Sequence, residues 1–211
     1  MKRSFGVLIS GSGTNLQALI DASQRDDYPG RLSVVISNRA DVMGLQRAQR
    51  AGINAMCIDH RGKTRKIFET ELIAALQDHD VELVALAGFM RLLTPFFLDA
   101  FDGQVVNIHP ALSPSFPGIH GQQQAFEYGV RISGATVHFV DAGTDTGPII
   151  CQGAVPVYAD DDHNTMKERI LRMEHRLYPH ALRLALSGDL VVQGRRVLLP
   201  REESGWMWQE S

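Results

Sequence analysis

At 211 residues, 44% hydrophobic and 21% charged, the chain can bury a core without disulfide or metal staples and has an ordinary globular composition. A formal charge of −3 gives no reason to expect nucleic acid or an anionic membrane as a partner. The basic start Met1-Lys2-Arg3 leads into an apolar run that glycines interrupt too soon for a signal peptide or membrane span, so a cytoplasmic location is expected.

In chain order, Phe5–Ser10 reads as a strand buried on both faces. Gly11-Ser12-Gly13-Thr14 breaks it, and Asn15–Ala22 follows as a helix with Leu16, Leu19 and Ile20 inward. Leu32–Ser37 is a second buried strand. Val42–Ala51 is helical on Leu45 and Ala48 and stops at Gly52. Ile53–Ile58 is a third strand, and Thr64–Leu76 a helix with Ile67, Phe68, Leu72 and either Ile73 or Leu76 inward. Glu82–Ala87 and Gln104–Ile108 complete a five-strand series. Strands alternating with helices of this length predict a right-handed parallel α/β sheet.

The second half changes character. Gln122–Tyr128 is a short helix. Gly134–Val140 alternates and can pair antiparallel with Ile149–Val157 through the Asp141–Gly147 loop. Asn164–Leu186 is a long helical pattern that Pro179 is expected to kink or split. Leu190–Val192 and Arg196–Leu199 flank Gln193-Gly194 as a hairpin, and the last residues, with Trp206 and Trp208, are expected as a loose tail. The fold class predicted is therefore α/β: a mostly parallel, Rossmann-like open sheet, helices on both faces, and an antiparallel C-terminal portion.

The chemistry-bearing stretch is Val105-Val106-Asn107-Ile108-His109-Pro110. Asn107 and His109 are alternate residues, so on a strand they share a face. Pro110 biases the chain away from helix and ends the strand there. An amide donor and an imidazole at one strand end can stabilise an oxyanion and move a proton. Ordinary hydrogen-bonded loop residues are the plainer alternative.

Gly11-Ser12-Gly13-Thr14-Asn15-Leu16 sits between a strand and a helix, where glycines admit a ligand to the backbone and the helix start favours an anion. Leu16 replaces the third glycine of a dinucleotide fingerprint, and there is no G-K-[ST], so a phosphomonoester is the better fit. Arg91, in Gly88-Phe89-Met90-Arg91-Leu92-Leu93, could bind a carboxylate at an apolar slot, as could Arg65. Asp145, in a loop of turn residues, would matter beside His109 because a carboxylate raises an imidazole pKa. His138 reads as structural or supporting. Glu174 could reach a polar ligand, although an exposed helix carboxylate is commoner. Cys57 and Cys151 form no C-x-x-C pair and read as small buried residues of a reducing compartment; no metal site is expected.

Gly11-Ser12-Gly13-Thr14-Asn15-Leu16-Gln17, Ala87-Gly88-Phe89-Met90-Arg91, Asn107-Ile108-His109-Pro110 and Asp145-Thr146-Gly147-Pro148 occur in this order. Together with Glu174-His175 and Tyr178-Pro179 they resemble the phosphoribosylglycinamide formyltransferase family, folate-dependent enzymes of purine synthesis. The resemblance implies formyl transfer from the cosubstrate 10-formyltetrahydrofolate to the amine of phosphoribosylglycinamide, without a metal. It implies that Asn107, His109 and Asp145 are catalytic. Gly11, Ser12, Gly13, Thr14, Asn15, Leu16 and Gln17 would hold the substrate phosphate, and Glu174 would contact the same substrate. Met90, Arg91, Leu92 and Leu93, with Val140, Asp141 and Asn107, would meet the formyl-folate, with Arg65 and Arg91 at its glutamate end.

No internal repeat, low-complexity segment or linker stands out, so one domain over 1–211 is expected. Its phosphate-binding half is about 1–100, its catalytic and folate-binding half about 101–200, and its tail 201–211. A monomer or homodimer with small-molecule substrates, no nucleic acid and no membrane is expected. The chain departs from the family pattern at Ser113-Pro114-Ser115, usually leucine-proline-lysine, and at Gly121-Gln122, where a second histidine is common two residues after His120. The alternatives are a 10-formyltetrahydrofolate hydrolase, another formyl-folate-dependent amine formyltransferase, or a non-catalytic binder of a sugar phosphate or folate. A hydrolase would be expected to carry a further N-terminal domain, and a tRNA formyltransferase a basic C-terminal one.

Overall fold

Strand β1 (Arg3–Ile9) is buried from Ser4 onward, because it lies between two parallel neighbours, β2 (Gly30–Ser37) and β4 (Leu83–Leu86). The computed structural model describes residues 2–203 and 205–208, which fall into two compact units, Met1–Asn107 and Ile108–Ser211. In the first unit β3 (Asn54–Cys57) flanks β2, and the start of β5 (Val105–His109) flanks β4, all parallel. The strand order β3-β2-β1-β4-β5 reverses direction between β1 and β4. At such a switch point the crevice beyond the strands' carboxyl ends is where α/β sheets take ligands.

Helices α1 (Thr14–Ser23), α2 (Met43–Arg50) and α3 (Arg65–Gln77) connect these strands. Leu16, Leu19 and Ile20 of α1 and Leu45 and Ala48 of α2 are buried as their spacing predicts. On α3 the inward stripe is Phe68, Leu72 and Leu76, while Ile67 is 51% exposed. The inward place beside Phe68 is taken by Glu69, whose carboxylate accepts the Thr94 N–H at 2.9 Å and the Thr94 hydroxyl. Thr94 precedes a short helix, α4 (Pro95–Asp99), which the sequence reading passes over although proline at a first helical turn is a start signal. Cys57 is exposed rather than buried, since β3 forms the outer strand of this unit.

In the second unit β6 (Ile132–Phe139) pairs antiparallel with β7 (Ile149–Pro156), with a register shift between Val137 and His138. Helix α6 (His163–Ser187) packs on both strands. It approaches closely at Gly153, where a Cβ would lie 2.5 Å from Met173 Sδ. Asp162 and Thr165 form a reciprocal capping box at its start. The helix runs through Pro179 as one element instead of splitting, with buried residues both before and after it. Helix α5 (Gly121–Tyr128) and the predicted hairpin, β8 (Val191–Gln193) with β9 (Arg196–Leu198), complete the expected elements.

The tail differs from expectation. Trp206–Trp208 forms β10, parallel to Gln152–Ala154 of β7, and Arg183 holds Glu203 at 2.8 Å just before it. Backbone pairing and an ion pair fix a segment that composition alone reads as loose; residues 209–211 of the expected tail lie outside the described residues. The fold is thus the predicted α/β class, parallel in the first half with antiparallel pairing towards the C-terminus.

Candidate active site

Strand β5 ends at His109, and Pro110 prevents its continuation. Asn107 is half-buried and His109 is 3% exposed. The Asp141–Gly147 connection between β6 and β7 delivers Asp145 to His109. His109 Nδ1 lies 3.3 Å from Asp145 Oδ2. The other ring nitrogen, Nε2, is 2.9 Å from the Phe116 carbonyl, to which it donates. The Gly118 N–H donates to Asp145 Oδ2 at 2.9 Å. His138 approaches the other carboxylate oxygen, with Nε2 3.7 Å from Asp145 Oδ1, while its Nδ1 donates to the Phe139 carbonyl at 2.8 Å. The register shift at Val137/His138 re-aims this side chain, a common use of a bulge beside a site.

Two site residues occupy backbone conformations that L-residues seldom adopt: Phe116 has φ 55° and Asp145 φ 54°. Such conformations persist only where the surroundings enforce them. Gly121 leaves room for this arrangement. A Cβ there would lie 2.8 Å from the Phe116 oxygen and 3.1 Å from His109 Cε1.

The electrostatics are coupled. Burial pushes the His109 imidazole below its ordinary value and outweighs the opposing effects of Asp145 and the Phe116 carbonyl. The carboxylate therefore acts in the expected direction, but desolvation of the ring is larger. Burial would raise the Asp145 carboxyl, yet His138, the Gly118 N–H and His109 together hold it below its usual range. Asp145 is thus an anion, and His109 at neutral pH has one N–H for two facing acceptors. A proton gained by this ring would make Nδ1 a donor to the Asp145 carboxylate.

In the first unit, Gly11-Ser12-Gly13 forms the connection from β1 to α1, and Gly13 caps the helix in the left-handed conformation, φ 70°. Thr14, Asn15 and Gln17 are half-buried, while Leu16 is fully buried and belongs to the core, so it can offer a ligand only its backbone. Ser10, at the end of β1, accepts the Met90 N–H at 2.8 Å and thereby ties this turn to the segment after β4. Met90 and Leu92 are each 62% exposed, and Leu93 is half-buried. Arg91 lies 5.9 Å over the Phe68 ring of α3, the helix that Arg65 begins in an exposed position.

In the second unit Val140 and Asp141 are half-buried, and Asp141 shapes its own loop by accepting Gly143 N–H at 3.0 Å and Thr146 Oγ1 at 2.6 Å. Glu174 is buried on α6 rather than exposed. The sequence assigns no role to Phe116 or Gly118 and marks Gly121 only as part of a departure from the family pattern. The glycine- and proline-rich loop that carries them gives no partner. Among the described residues, no group of three His, Cys, Asp or Glu side chains is placed to hold a metal ion, and no helix is long and apolar enough to cross a membrane.

This geometry sits within a known sequence family: the formyl transferase model matches residues 3–182. The chain belongs to the formyl transferase family. This formyl transferase is 47% identical over 195 residues to the trifunctional purine biosynthetic protein adenosine-3 of Drosophila melanogaster, covering 90% of the chain but 14% of that protein. It spans 19% of the human counterpart, at 45% identity. It is 42% identical to Escherichia coli phosphoribosylglycinamide formyltransferase, with 87% of each covered. Among solved structures, glycinamide ribonucleotide transformylase 1 of Symbiobacterium toebii superposes with TM-score 0.91 at 51% identity, covering 94% of each chain. Phosphoribosylglycinamide formyltransferase of Anaplasma phagocytophilum gives TM-score 0.92 at 39% identity over 100% of each.

Proposed function

We infer that this formyl transferase moves the formyl group of 10-formyltetrahydrofolate to the amine of phosphoribosylglycinamide, a step of purine synthesis. The observation that carries the reading is the buried His109–Asp145 pair at the end of β5, in a chain that matches phosphoribosylglycinamide formyltransferases over nearly their whole length. The chain acts as a single formyltransferase domain in the cytoplasm, as a monomer or homodimer, on small molecules and without a metal.

The neutral amine attacks the formyl carbon, a C–N bond forms, and the carbonyl oxygen becomes an oxyanion. The Asn107 amide and His109 donate to that oxygen. The proton that the amine sheds is relayed through a water that Asp145 orients, because His109 Nε2 already carries the hydrogen it offers the oxyanion and Nδ1 faces the Asp145 carboxylate. The proton passes to N10 of the folate as the C–N10 bond breaks, leaving tetrahydrofolate and the formylated amine. The Phe116 carbonyl yields its place on Nε2 to substrate during this sequence.

The turn Gly11–Gln17 holds the phosphate through backbone N–H groups and the side chains of Ser12, Thr14 and Asn15, and Glu174 binds elsewhere on the same substrate. Met90, Arg91, Leu92 and Leu93, with Asn107, Val140 and Asp141, take the folate, whose glutamate carboxylates pair with Arg65 and Arg91. The test is to mix the protein with 10-formyltetrahydrofolate and phosphoribosylglycinamide and follow tetrahydrofolate release. Release that requires the amine is expected. Release without it means a hydrolase, and no release in either case means a binder.

A further inference from the structure

Each carbonyl of the glycine turn is already engaged. Gly11 O accepts the Gly44 N–H of α2 at 3.1 Å, and Gly13 O accepts the Gln17 N–H at 3.0 Å. Between them, Ser12 O accepts Arg47 Nε at 3.0 Å. A trans peptide directs its C=O and its N–H to opposite sides. Fixing these three carbonyls therefore fixes the N–H directions of Ser12, Gly13 and Thr14, which face away from α2 and from the body of α1. Successive N–H groups held in this way form an anion-binding concavity.

The middle peptide is the vulnerable one. Gly13, on one side of it, has no Cβ to restrict rotation, and among the described residues Ser12 O is held by the Arg47 side chain and by no backbone group. Arg47 is itself held in place: Nη1 donates to Gln17 Oε1 at 3.2 Å, and Gln17 Nε2 donates on to Asp21 at 2.8 Å. The approach of α2 also depends on glycine. A Cβ on Gly44 would lie 2.4 Å from Ile9 Cδ1 and 3.0 Å from Gly11 O, and one on Gly13 would lie 2.8 Å from Gly44 Cα.

We propose that Arg47 is a positioning residue for phosphate recognition: by holding the Ser12 carbonyl it aims the Gly13 N–H into the site, and α2 thereby sets substrate preference. This rests on the phosphate role of the turn argued above. Its signature is selectivity for the phosphorylated amine, since a general loss of structure would reduce turnover of any substrate.

The experiment measures kcat/KM for phosphoribosylglycinamide and for the same ribosylglycinamide without its phosphate, at saturating 10-formyltetrahydrofolate. The wild type should prefer the phosphorylated amine. Arg47→Met should cut that preference about tenfold, the scale of one lost hydrogen bond to a charged donor, mainly through KM. Arg47→Lys, which keeps the charge and one donor, should fall between the two. Gly44→Ala displaces the turn by a different route and should also lower the preference. It carries the test with Arg47→Lys if Arg47→Met does not fold. An unchanged preference in Arg47→Met, or in Arg47→Lys and Gly44→Ala together, overturns the proposal and leaves the functional reading intact. A wild type that ignores the phosphate, or turns over neither amine, overturns both.

Discussion

His109 and Asp145, 36 positions apart in the chain, meet at 3.3 Å through Nδ1 and Oδ2, and the carboxylate is shared with His138 on its other oxygen at 3.7 Å. A single anion therefore faces two imidazoles, each of which also donates to a backbone carbonyl. The His109 proton and the Asp145 charge are therefore linked.

Replacing a member of the set should separate chemistry from folding. Asn107→Ala or His109→Ala removes one donor to the oxyanion and should lower kcat by about two to three decades. Asp145→Asn keeps a group that can accept the Gly118 N–H but removes the charge, and should cost about as much in kcat. Steady-state rates and thermal melts on the same samples check this; near wild-type turnover in Asn107→Ala or His109→Ala would remove the assignment.

Gly121 offers a steric test. An alanine Cβ would lie 2.8 Å from the Phe116 oxygen and 3.1 Å from His109 Cε1. Either the Phe116 loop or the imidazole must shift, so Gly121→Ala should lower kcat by about tenfold or more and destabilise by about 1–3 kcal/mol, the scale of an overpacked site. A variant with wild-type kcat and wild-type melting temperature would show that the loop gives way freely.

Much of this architecture was legible before any coordinates. The parallel half follows from buried β-runs alternating with amphipathic helices, and both the glycine turn and the Asn107–His109 stretch stand out because their patterns are local. What was not legible depends on contacts distant in sequence. Nothing near Glu69 announces that its carboxylate will serve Thr94, and nothing near Phe116 announces that its carbonyl will meet His109. Ile67 and Glu69 exchange the places that hydrophobicity assigns them for the same reason. The raising effect of Asp145 on His109 follows from the motif, whereas the extent of ring burial, which outweighs it, depends on contacts distant in sequence.

The pH dependence of stability follows from two depressed pKa values. For His109 the folded value lies below the unfolded one, near 6.5. The unfolded chain therefore takes up the proton first, and stability declines as pH falls below about 6.5 towards the folded value. For Asp145, also depressed in the fold, the contribution is complete above the unfolded value near 3.9 and is lost as pH drops further. Urea unfolding from pH 8 to pH 4 should show the first decline, and His109→Gln should flatten it. An equal decline in wild type and variant would assign that titration to another histidine.

The Arg169–Asp161 pair tests what anchors the start of α6. Arg169 Nη1 donates to Asp161 Oδ2 at 2.6 Å and to the Pro156 carbonyl at 3.0 Å, while Nη2 reaches Oδ1 at 2.7 Å. The Arg169 hydrogen bonds lead the interactions that hold Asp161 at about 2. Both side chains are largely shielded from solvent, so the pair should matter more than an exposed one. Arg169→Met should cost about 1–3 kcal/mol in unfolding free energy at pH 7. The penalty should shrink as pH falls below about 4, where the unfolded Asp161 carboxyl becomes protonated. Equal stability of Arg169→Met and wild type at pH 7 would refute the anchoring role.

Glu69 joins stability to the folate end of the proposed site. Its carboxylate accepts two donors from Thr94, directly after the Met90–Leu93 segment, and the side chain is 1% exposed. Glu69→Ala would leave the Thr94 N–H without this acceptor and open a void on α3, for an expected loss of about 2–3 kcal/mol. Glu69→Gln keeps an oxygen for the N–H and can donate to the hydroxyl, so it should cost less than about 1 kcal/mol. If Met90–Leu93 meets the folate, the Ala variant should also raise KM for 10-formyltetrahydrofolate several-fold, with a smaller change for phosphoribosylglycinamide. Urea titrations and paired KM measurements decide it. Equal destabilisation by Ala and Gln would mean that the charge is what matters, and an unchanged folate KM in a clearly destabilised Ala variant would detach this segment from the folate site.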